Sequence, residues 1–218
     1  GRLIYVTSSS LAVPNPPAEP SILPAADYTI GGLLGNGNQD VQAANVISGA
    51  RYRDGYDADG GYGGISGIKI YGNFIGTDPT GEFDTYVNPG DLPNNGLRYG
   101  NARDGISLES GRLASVVSNI ISGNGNNGVN ITQRGNDILV KNNIIGLSKS
   151  QTKSLPNGWF NAVQAAPNNN LGPATVSTAA FNGNGVAQGS GCSLQGRDCG
   201  NVTIENNVIS SNARDGIF

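Results

Sequence analysis

Apolar and polar positions alternate in short runs that return at a nearly constant distance along the chain. An apolar-x-apolar step is followed by Asn119 and two isoleucines, and the same order returns 24 residues later around Asn143. A Gly-apolar-x-apolar step at Gly105 returns 23 residues later at Gly128. Two independent anchors with nearly the same period indicate a structural repeat of the solenoid kind.

The repeat unit predicts short β-strands stacked in rungs. Apolar-x-apolar steps have period two, which is the period of a strand. Gly and Asn stand at the breaks, where they tolerate the left-handed backbone that a sharp corner needs, and they recur too often for a helix. A hairpin meander would not give a fixed return of this length. The expected fold is all-β, a parallel β-helix with Ile and Val columns inside and corner Asn residues hydrogen-bonded to the rungs above and below.

Long segments without the motif interrupt the rungs. We expect an N-terminal strand and Pro-rich arm at 1–30, and a β-helix over 31–218 with insertions at about 50–64, 82–100 and 147–200. A solenoid accommodates such insertions because the entropic cost of closing a loop grows slowly with its length.

The composition excludes several classes of protein. Gly accounts for 34 of 218 residues, charged residues are only 13%, and the net charge is −3. No basic cluster is present, so nucleic acid is not an expected partner. No apolar run approaches the length of a membrane span.

The two cysteines, Cys192 and Cys199, lie in a Gly/Ser-rich segment with the spacing C-x6-C. The chain has no His, and two cysteines alone do not make a usual zinc site. The spacing favours a small disulfide loop over two unpaired surface thiols. A disulfide would imply an oxidising, extracellular or envelope setting.

Several motifs resemble the rungs of right-handed parallel β-helix repeat proteins, especially the large secreted or surface proteins of bacteria. The motifs are Asn-Val-Ile-Ser-Gly at 45–49, Ile-Gly-Thr-Asp-Pro-Thr-Gly at 75–81, Pro-Asn-Gly at 156–158, and Asp-Gly-Ile within the hexapeptide Asn-Ala-Arg-Asp-Gly-Ile, which is identical at 101–106 and 212–217. The resemblance covers about 28–146 and 201–218. It implies a right-handed coil, in agreement with the crossover rule for parallel strands.

The family that the motifs resemble also includes enzymes that cleave acidic polysaccharides. Their hydrolase type uses clustered Asp and a His, which this chain lacks. Their lyase type uses an Asp-lined calcium site with an Arg or Lys base. We expect Asp104, Asp137 and Asp215 at turns, with no two adjacent rungs aligning carboxylates as glycoside hydrolysis requires. No catalytic residue is assigned, and the chain is not expected to be an enzyme.

The insertion at 50–64 carries the best candidates for metal and ligand binding. Asp54, Asp57 and Asp59 supply hard oxygen ligands that suit Ca²⁺, although no cofactor is required and the alternative is a solvated Gly-rich loop. Exposed tyrosines stack on sugars or anchor a protein partner, and the alternative is that they pack down to hold the loop. The tyrosines of this loop are Tyr52, Tyr56 and Tyr62.

The leading functional hypothesis is an extracellular structural protein, a building block of a surface filament, a matrix or an adhesin stalk. The sequence starts inside one strand and stops inside another, and an uncapped strand edge templates further strands. The expected partners are further copies of the chain or adjacent β-helix domains, with donation of the N-terminal strand. The residues expected to take part are Leu3, Ile4, Tyr5, Val6, Ile217 and Phe218. The alternative is a β-helix protein that binds glycans or cleaves polysaccharides, of the lyase or depolymerase type.

Overall fold

The structure, a computed structural model, is all-β. It describes residues 4–7, 28–50, 54–59, 65–86, 97–108, 111–132, 137–158, 184–188 and 201–217. These residues form nineteen short strands and no helix. The strands are β1 (Ile4–Thr7), β2 (Tyr28–Gly31), β3 (Val46–Ile47), β4 (Tyr56–Asp59), β5 (Ile65–Ser66), β6 (Ile68–Tyr71), β7 (Phe74–Ile75), β8 (Thr85–Tyr86), β9 (Leu97–Arg98), β10 (Ile106–Leu108), β11 (Gly111–Arg112), β12 (Ser115–Val117), β13 (Ile120–Ile121), β14 (Val129–Ile131), β15 (Ile138–Lys141), β16 (Ile144–Ile145), β17 (Val186–Gln188), β18 (Val202–Glu205) and β19 (Val208–Ile209).

Fifteen of these strands form three parallel sheets of five strands each. Sheet 1 contains β1, β4, β10, β14 and β17; sheet 2 contains β2, β6, β12, β15 and β18; sheet 3 contains β3, β7, β13, β16 and β19. The chain visits sheets 1, 2 and 3 in rotation, and within each sheet the strands stack in sequence order. This arrangement is consistent with a β-solenoid.

The strand pairing follows the repeat seen in the sequence. Val116 of β12 is the register partner of Val140 of β15, and Ile106 of β10 is the partner of Val129 of β14. These are the alignments that the 24-residue and 23-residue offsets predict. The prediction of stacked parallel strands is therefore confirmed for the regular rungs.

The core consists of columns of β-branched side chains between the sheets. Strands β6 and β15 alternate between fully buried and half-buried residues, as period-two strands with one face on a core do. Each Ile or Val removed from water in this way contributes roughly 1.5–3 kcal/mol. The innermost members of sheets 2 and 3 include Ile70, Val116, Val140, Ile75, Ile121 and Ile145.

The corner between sheets 2 and 3 turns on one residue with positive φ. That residue is Gly72 (67°), Ser118 (57°), Asn142 (56°) or Asn206 (54°) in four successive rungs. Gly, Asn and small polar residues reach this left-handed region more readily than branched ones. The Asn that follows each of them is thereby placed in the same position of every rung.

The boundaries of the insertions differ from the sequence-based expectation. The segment 50–64 contains β4, and the segment 147–200 contains β17, and both strands belong to sheet 1. The segment 82–100 holds the antiparallel strands β8 and β9, which lie outside the three parallel sheets. The N-terminal strand β1, expected to be an arm free for donation, pairs in parallel with β4 of the same chain. Variable spacing between the sheet 1 strands hid these rungs from the repeat pattern.

Candidate functional site

Asparagines stack into a ladder at the corner between sheets 2 and 3. The first Asn ladder consists of Asn45, Asn73, Asn119, Asn143 and Asn207. The backbone N–H and Nδ2 of Asn119 both donate to Oδ1 of Asn143, at 2.9 and 3.0 Å. Each member bonds in this way to the next rung toward the C-terminus. The prediction of hydrogen-bonded corner asparagines is confirmed.

A second Asn ladder stands at the corner after sheet 3, and runs in the same direction. Its members are Asn101, Asn124, Asn157 and Asn212. Asn124 donates from its backbone N–H and Nδ2 to Oδ1 of Asn157, at 3.1 and 3.0 Å. Ala50 occupies the first position, and its N–H donates to Oδ1 of Asn101 at 3.1 Å.

A third ladder precedes sheet 1 and runs in the opposite direction. This Asp/Asn ladder consists of Asp54, Asp104, Asn127, Asn184 and Asp215. Here each backbone N–H donates back to the preceding rung, as Asp104 does to Oδ1 of Asp54 at 3.0 Å. Asp54 and Asp104 therefore align two carboxylates in adjacent rungs, and the expectation that no such pair exists is wrong.

A glycine follows every member of the Asp/Asn ladder. A Cβ on Gly105 would lie 2.8 Å from the Gly128 carbonyl oxygen and 2.7 Å from Nδ2 of Asn124. Real side chains do not approach backbone this closely, so the rung spacing requires glycine there. The Asp/Asn-Gly-apolar triplet was the sequence signal that could have located β4, β10, β14, β17 and the segment 215–217, although it does not mark β1.

Asp104 is a buried carboxylate, at 5% exposure. Its Oδ1 accepts from Nδ2 of Asn126 at 2.7 Å and from the backbone N–H and Nδ2 of Asn127 at 2.9 and 3.0 Å. Its Oδ2 accepts from Nδ2 of Asn130 at 3.0 Å. Burial and the nearby Asp54 carboxylate raise the pKa of Asp104 to about 7. The hydrogen bonds from Asn127 lower this pKa, but by less than burial and Asp54 raise it.

The three aspartates predicted to bind Ca²⁺ do not lie on a flexible loop. Asp54 and Asp57 are buried, Asp54 just before β4 and Asp57 within it, where it pairs in register with Ser107. Asp59 ends the same strand, and its side chain lies outside the described residues. Within the described ranges, no group of three or more His, Cys, Asp or Glu side chains is placed to hold a metal ion. Ca²⁺ binding stays a prediction.

Of the two alternatives for Tyr56, an exposed ligand contact or a ring that packs down, the structure shows the second. Its side chain is fully buried in the core, and its hydroxyl lies 3.0 Å from that of Tyr28. Burial raises the pKa of both phenols. Tyr56 takes the inward position that Ile106 takes in the next rung, so an aromatic residue in a Gly-rich segment here serves the core.

Other predicted site residues lie outside the residues that the structure describes. These are Tyr52, Tyr62, Leu3, Phe218 and the pair Cys192 and Cys199. The disulfide stays a prediction. Ile4, Tyr5 and Val6 are described as part of β1, in register with β4, but their side chains are not.

The two ends of the described stack expose apolar side chains. Val46 and Val208 begin and end one column of sheet 3, and they are 45% and 38% exposed. Phe74 and Ile120, inside the same column, are buried. Ile217, bridged to Val186 at the C-terminal edge of sheet 1, is 56% exposed.

Hydrogen-bonding groups at the two ends are complementary. Asn45 donates to Asn73, so its Oδ1 faces the N-terminal end and accepts no bond from the described residues. At the other end, the backbone N–H of Asn207 has no acceptor among the described residues, and its Nδ2 bonds to the Val140 carbonyl at 2.8 Å. The first Asn ladder thus ends in an acceptor at one edge and in a donor at the other.

No family model, curated protein or solved structure matches this chain. Among the described residues, no helix is long and apolar enough to cross a membrane.

Proposed function

We propose that this chain is an extracellular structural protein, a right-handed parallel β-helix that serves as a stacking unit in a surface filament, a matrix or an adhesin stalk. The observation that carries the proposal is the use of buried polar side chains. In all three ladders these side chains bond rung to rung. An arrangement of this kind builds a rigid rod and leaves few buried polar groups for chemistry.

Head-to-tail stacking is the mode of assembly that the ends support. The donor at Asn207 and the acceptor at Asn45 would continue the first Asn ladder from one copy into the next. Val208 and Val46 would meet in the same column and lose their exposed apolar surface. A head-to-tail contact joins two different surfaces, and it generates an open filament when the rotation does not close.

The finer points of the proposal have separate support. Right-handedness is supported by the strong preference of parallel crossover connections for that hand. The extracellular setting is supported by the motif resemblance and by the disulfide expected between Cys192 and Cys199.

The test is electron microscopy and fibre diffraction of the purified chain over a range of concentrations. We expect filaments with a rung spacing of about 4.8 Å and, for five rungs, a rise of about 24 Å per subunit. Val208→Lys should prevent filament growth, because it places a charge at the stacking edge. Leu113→Lys is the matched control, since Leu113 is 60% exposed but lies in the third rung. A monomer at every concentration would overturn the proposal.

One observation favours the alternative of polysaccharide binding or cleavage. Asp54 and Asp104 are buried carboxylates in adjacent rungs, and Asp57 is a third buried carboxylate, within β4. Glycoside hydrolysis uses paired carboxylates. Against this, both oxygens of Asp104 accept hydrogen bonds from asparagines. Release of reducing sugars or unsaturated products from acidic polysaccharides, lost in Asp57→Asn, would establish this alternative.

A further inference from the structure

Seven asparagines of this chain are followed directly by glycine. Asn-Gly pairs are prone to spontaneous loss of the side-chain amide, because glycine has no Cβ to hinder attack of its backbone nitrogen on the Asn Cγ. Five of the pairs begin at described residues, Asn36, Asn124, Asn127, Asn157 and Asn184, and the pairs at 95–96 and 182–183 lie outside the described residues. The five described pairs share one chemistry but occupy two kinds of environment.

Four of the five pairs belong to the ladders, where the reacting atoms are held. These asparagines, Asn124 and Asn157 in the second Asn ladder and Asn127 and Asn184 in the Asp/Asn ladder, are 2% exposed or less. The glycine N–H of each pair donates to a carbonyl in an adjacent rung, as Gly125 does to Asn101 at 2.7 Å. This N–H must lose its proton before the nitrogen can attack. The reaction in a ladder therefore requires the rungs to separate.

The fifth pair lies in the loop 32–44, which connects β2 and β3. Asn36 is exposed, and the N–H of Gly37 donates to the Leu34 carbonyl at 2.8 Å within the same loop. A Cβ placed on Gly35 or Gly37 would meet no atom of the described residues within 4 Å, so this segment has room to change shape. The hydrogen bond that must break for Gly37 to react belongs to one exposed turn, which opens far more easily than a rung.

We propose that Asn36 is a site of spontaneous deamidation in the folded chain, and that the ladders protect their four Asn-Gly pairs from the same reaction. The Gly37 nitrogen gives its proton to hydroxide and forms a bond to Cγ of Asn36, while the Cγ–Nδ2 bond breaks and ammonia leaves. Water then opens the resulting succinimide at either of its two carbonyls. The products are aspartate, or isoaspartate in which the main chain runs through the former side-chain carbonyl.

Isoaspartate changes the loop where it is fastened to the coil. Ser118 donates from Oγ to the Gly37 carbonyl at 3.0 Å, and Gln39 donates from Nε2 to the Gly72 carbonyl at 2.7 Å. Gly72 and Ser118 are residues with positive φ at the corner between sheets 2 and 3. Isoaspartate lengthens the main chain by one atom directly before Gly37, which displaces the carbonyl that Ser118 holds. The reaction therefore loosens the loop irreversibly at this corner.

The test is peptide mass spectrometry of the full chain after incubation at mildly alkaline pH, once folded and once unfolded in urea. In the folded chain, we expect Asn36 to convert at least about a hundredfold faster than the four ladder asparagines, since reaction at a buried group follows the free energy of opening its rung. In urea all five should convert at similar rates. Equal rates in the folded chain would overturn the proposal, as would conversion of Asn36 only after urea is added.

Hydrogen exchange tests the consequence for the loop. The amides of Leu34 and Gly37 donate to the Asn38 and Leu34 carbonyls, and their exchange should be about tenfold faster in the isoaspartate form than in the fresh chain. Asn36→Gln should not convert at this position, because its longer side chain would have to close a larger ring, and its loop should stay protected. Unchanged exchange after conversion would overturn the loosening.

Asn38→Asp is the matched control for charge. Asn38 is exposed in the same loop and is followed by Gln39, so this variant adds the same negative charge without lengthening the main chain. Its amides should exchange as slowly as those of the fresh chain. Exchange as fast as in the isoaspartate form would show that charge alone loosens the loop, and would overturn the role of the lengthened main chain.

Discussion

The same six residues, Asn-Ala-Arg-Asp-Gly-Ile, occupy two very different environments in this molecule. At 101–106 they lie between two rungs, and Ile106 is fully buried. At 212–217 they form the last described rung, and Ile217 is 56% exposed. Because the six residues are identical, the differences between the copies arise from the rungs that neighbour them. In a solenoid, burial, charge state and steric demand are set largely by the nearest neighbours.

The two copies of the hexapeptide should differ most in how strongly their aspartates make the folding stability depend on pH. Folding raises the pKa of Asp104 from 3.8 to about 7, so between these values the folded chain holds a proton that the unfolded chain has lost. This contribution to stability is fully present below pH 3.8 and is lost as pH rises to about 7, on the order of 4 kcal/mol in all. Asp104→Asn should remove this loss, as measured by urea unfolding at several pH values.

Asp215→Asn is the control for that experiment, because Asp215 is exposed in the corresponding position. We expect this variant to keep the pH dependence of the parent chain. An unchanged pH dependence in Asp104→Asn would contradict the assignment of the buried proton to Asp104.

The two isoleucines should differ next most. Ile106→Ala removes a fully buried side chain between two rungs, which typically costs about 2–5 kcal/mol, from lost burial and the cavity left behind. Ile217→Ala should cost less than about 0.5 kcal/mol in dilute solution, because its side chain is largely in water already. Urea unfolding compares the two, and equal costs would mean that the last rung is covered in solution.

The asparagines of the two copies should show a smaller difference. Asn101 is fully buried, donates from Nδ2 to the Ile47 carbonyl at 3.0 Å, and accepts the N–H of Ala50 at 3.1 Å. Asn101→Ala leaves these buried groups unpaired, at a cost of about 2 kcal/mol. Asn212→Ala loses the bond from Asn157 at a half-exposed position, where water can replace it, and should cost about half as much. Thermal unfolding of both variants at low concentration measures the ratio.

The glycines provide the smallest and most local test. A Cβ on Gly105 would lie 2.8 Å from the Gly128 carbonyl, whereas a Cβ on Gly216 would meet only the Ile209 side chain at 3.6 Å. Gly105→Ala should cost about 1–2 kcal/mol through a forced shift of the rungs. Gly216→Ala should be neutral in the monomer and should weaken filament growth, because stacking would recreate the crowded environment of Gly105. Sedimentation alongside thermal unfolding separates the two effects.

Much of the fold was predictable because its signals are local. The alternation of apolar residues around Asn119 and Asn143 specified the strands, their register and the corner ladder. These features depend on a strand period of two and on the backbone freedom of Asn and Gly, and both can be read within one rung.

The placement of Asp54 and Tyr56 was not predictable in this way. Successive members of the Asp/Asn ladder are separated by 50, 23, 57 and 31 residues, so no fixed period connects them. Insertions of unequal length hide the rungs of sheet 1, and only the closed coil shows which triplets stack.

The sequence by itself therefore determined the rung: strands with inward Ile and Val, corners at Gly and Asn, and parallel stacking. The tertiary structure alone decided which residues share a column. It buried Tyr56 in the core, paired β1 with β4, and aligned Asp104 with Asp54 so that its pKa rises. The physical reason is that strand formation depends on neighbours along the chain, whereas burial and charge interactions depend on neighbours in the next rung, at whatever distance in sequence that rung lies.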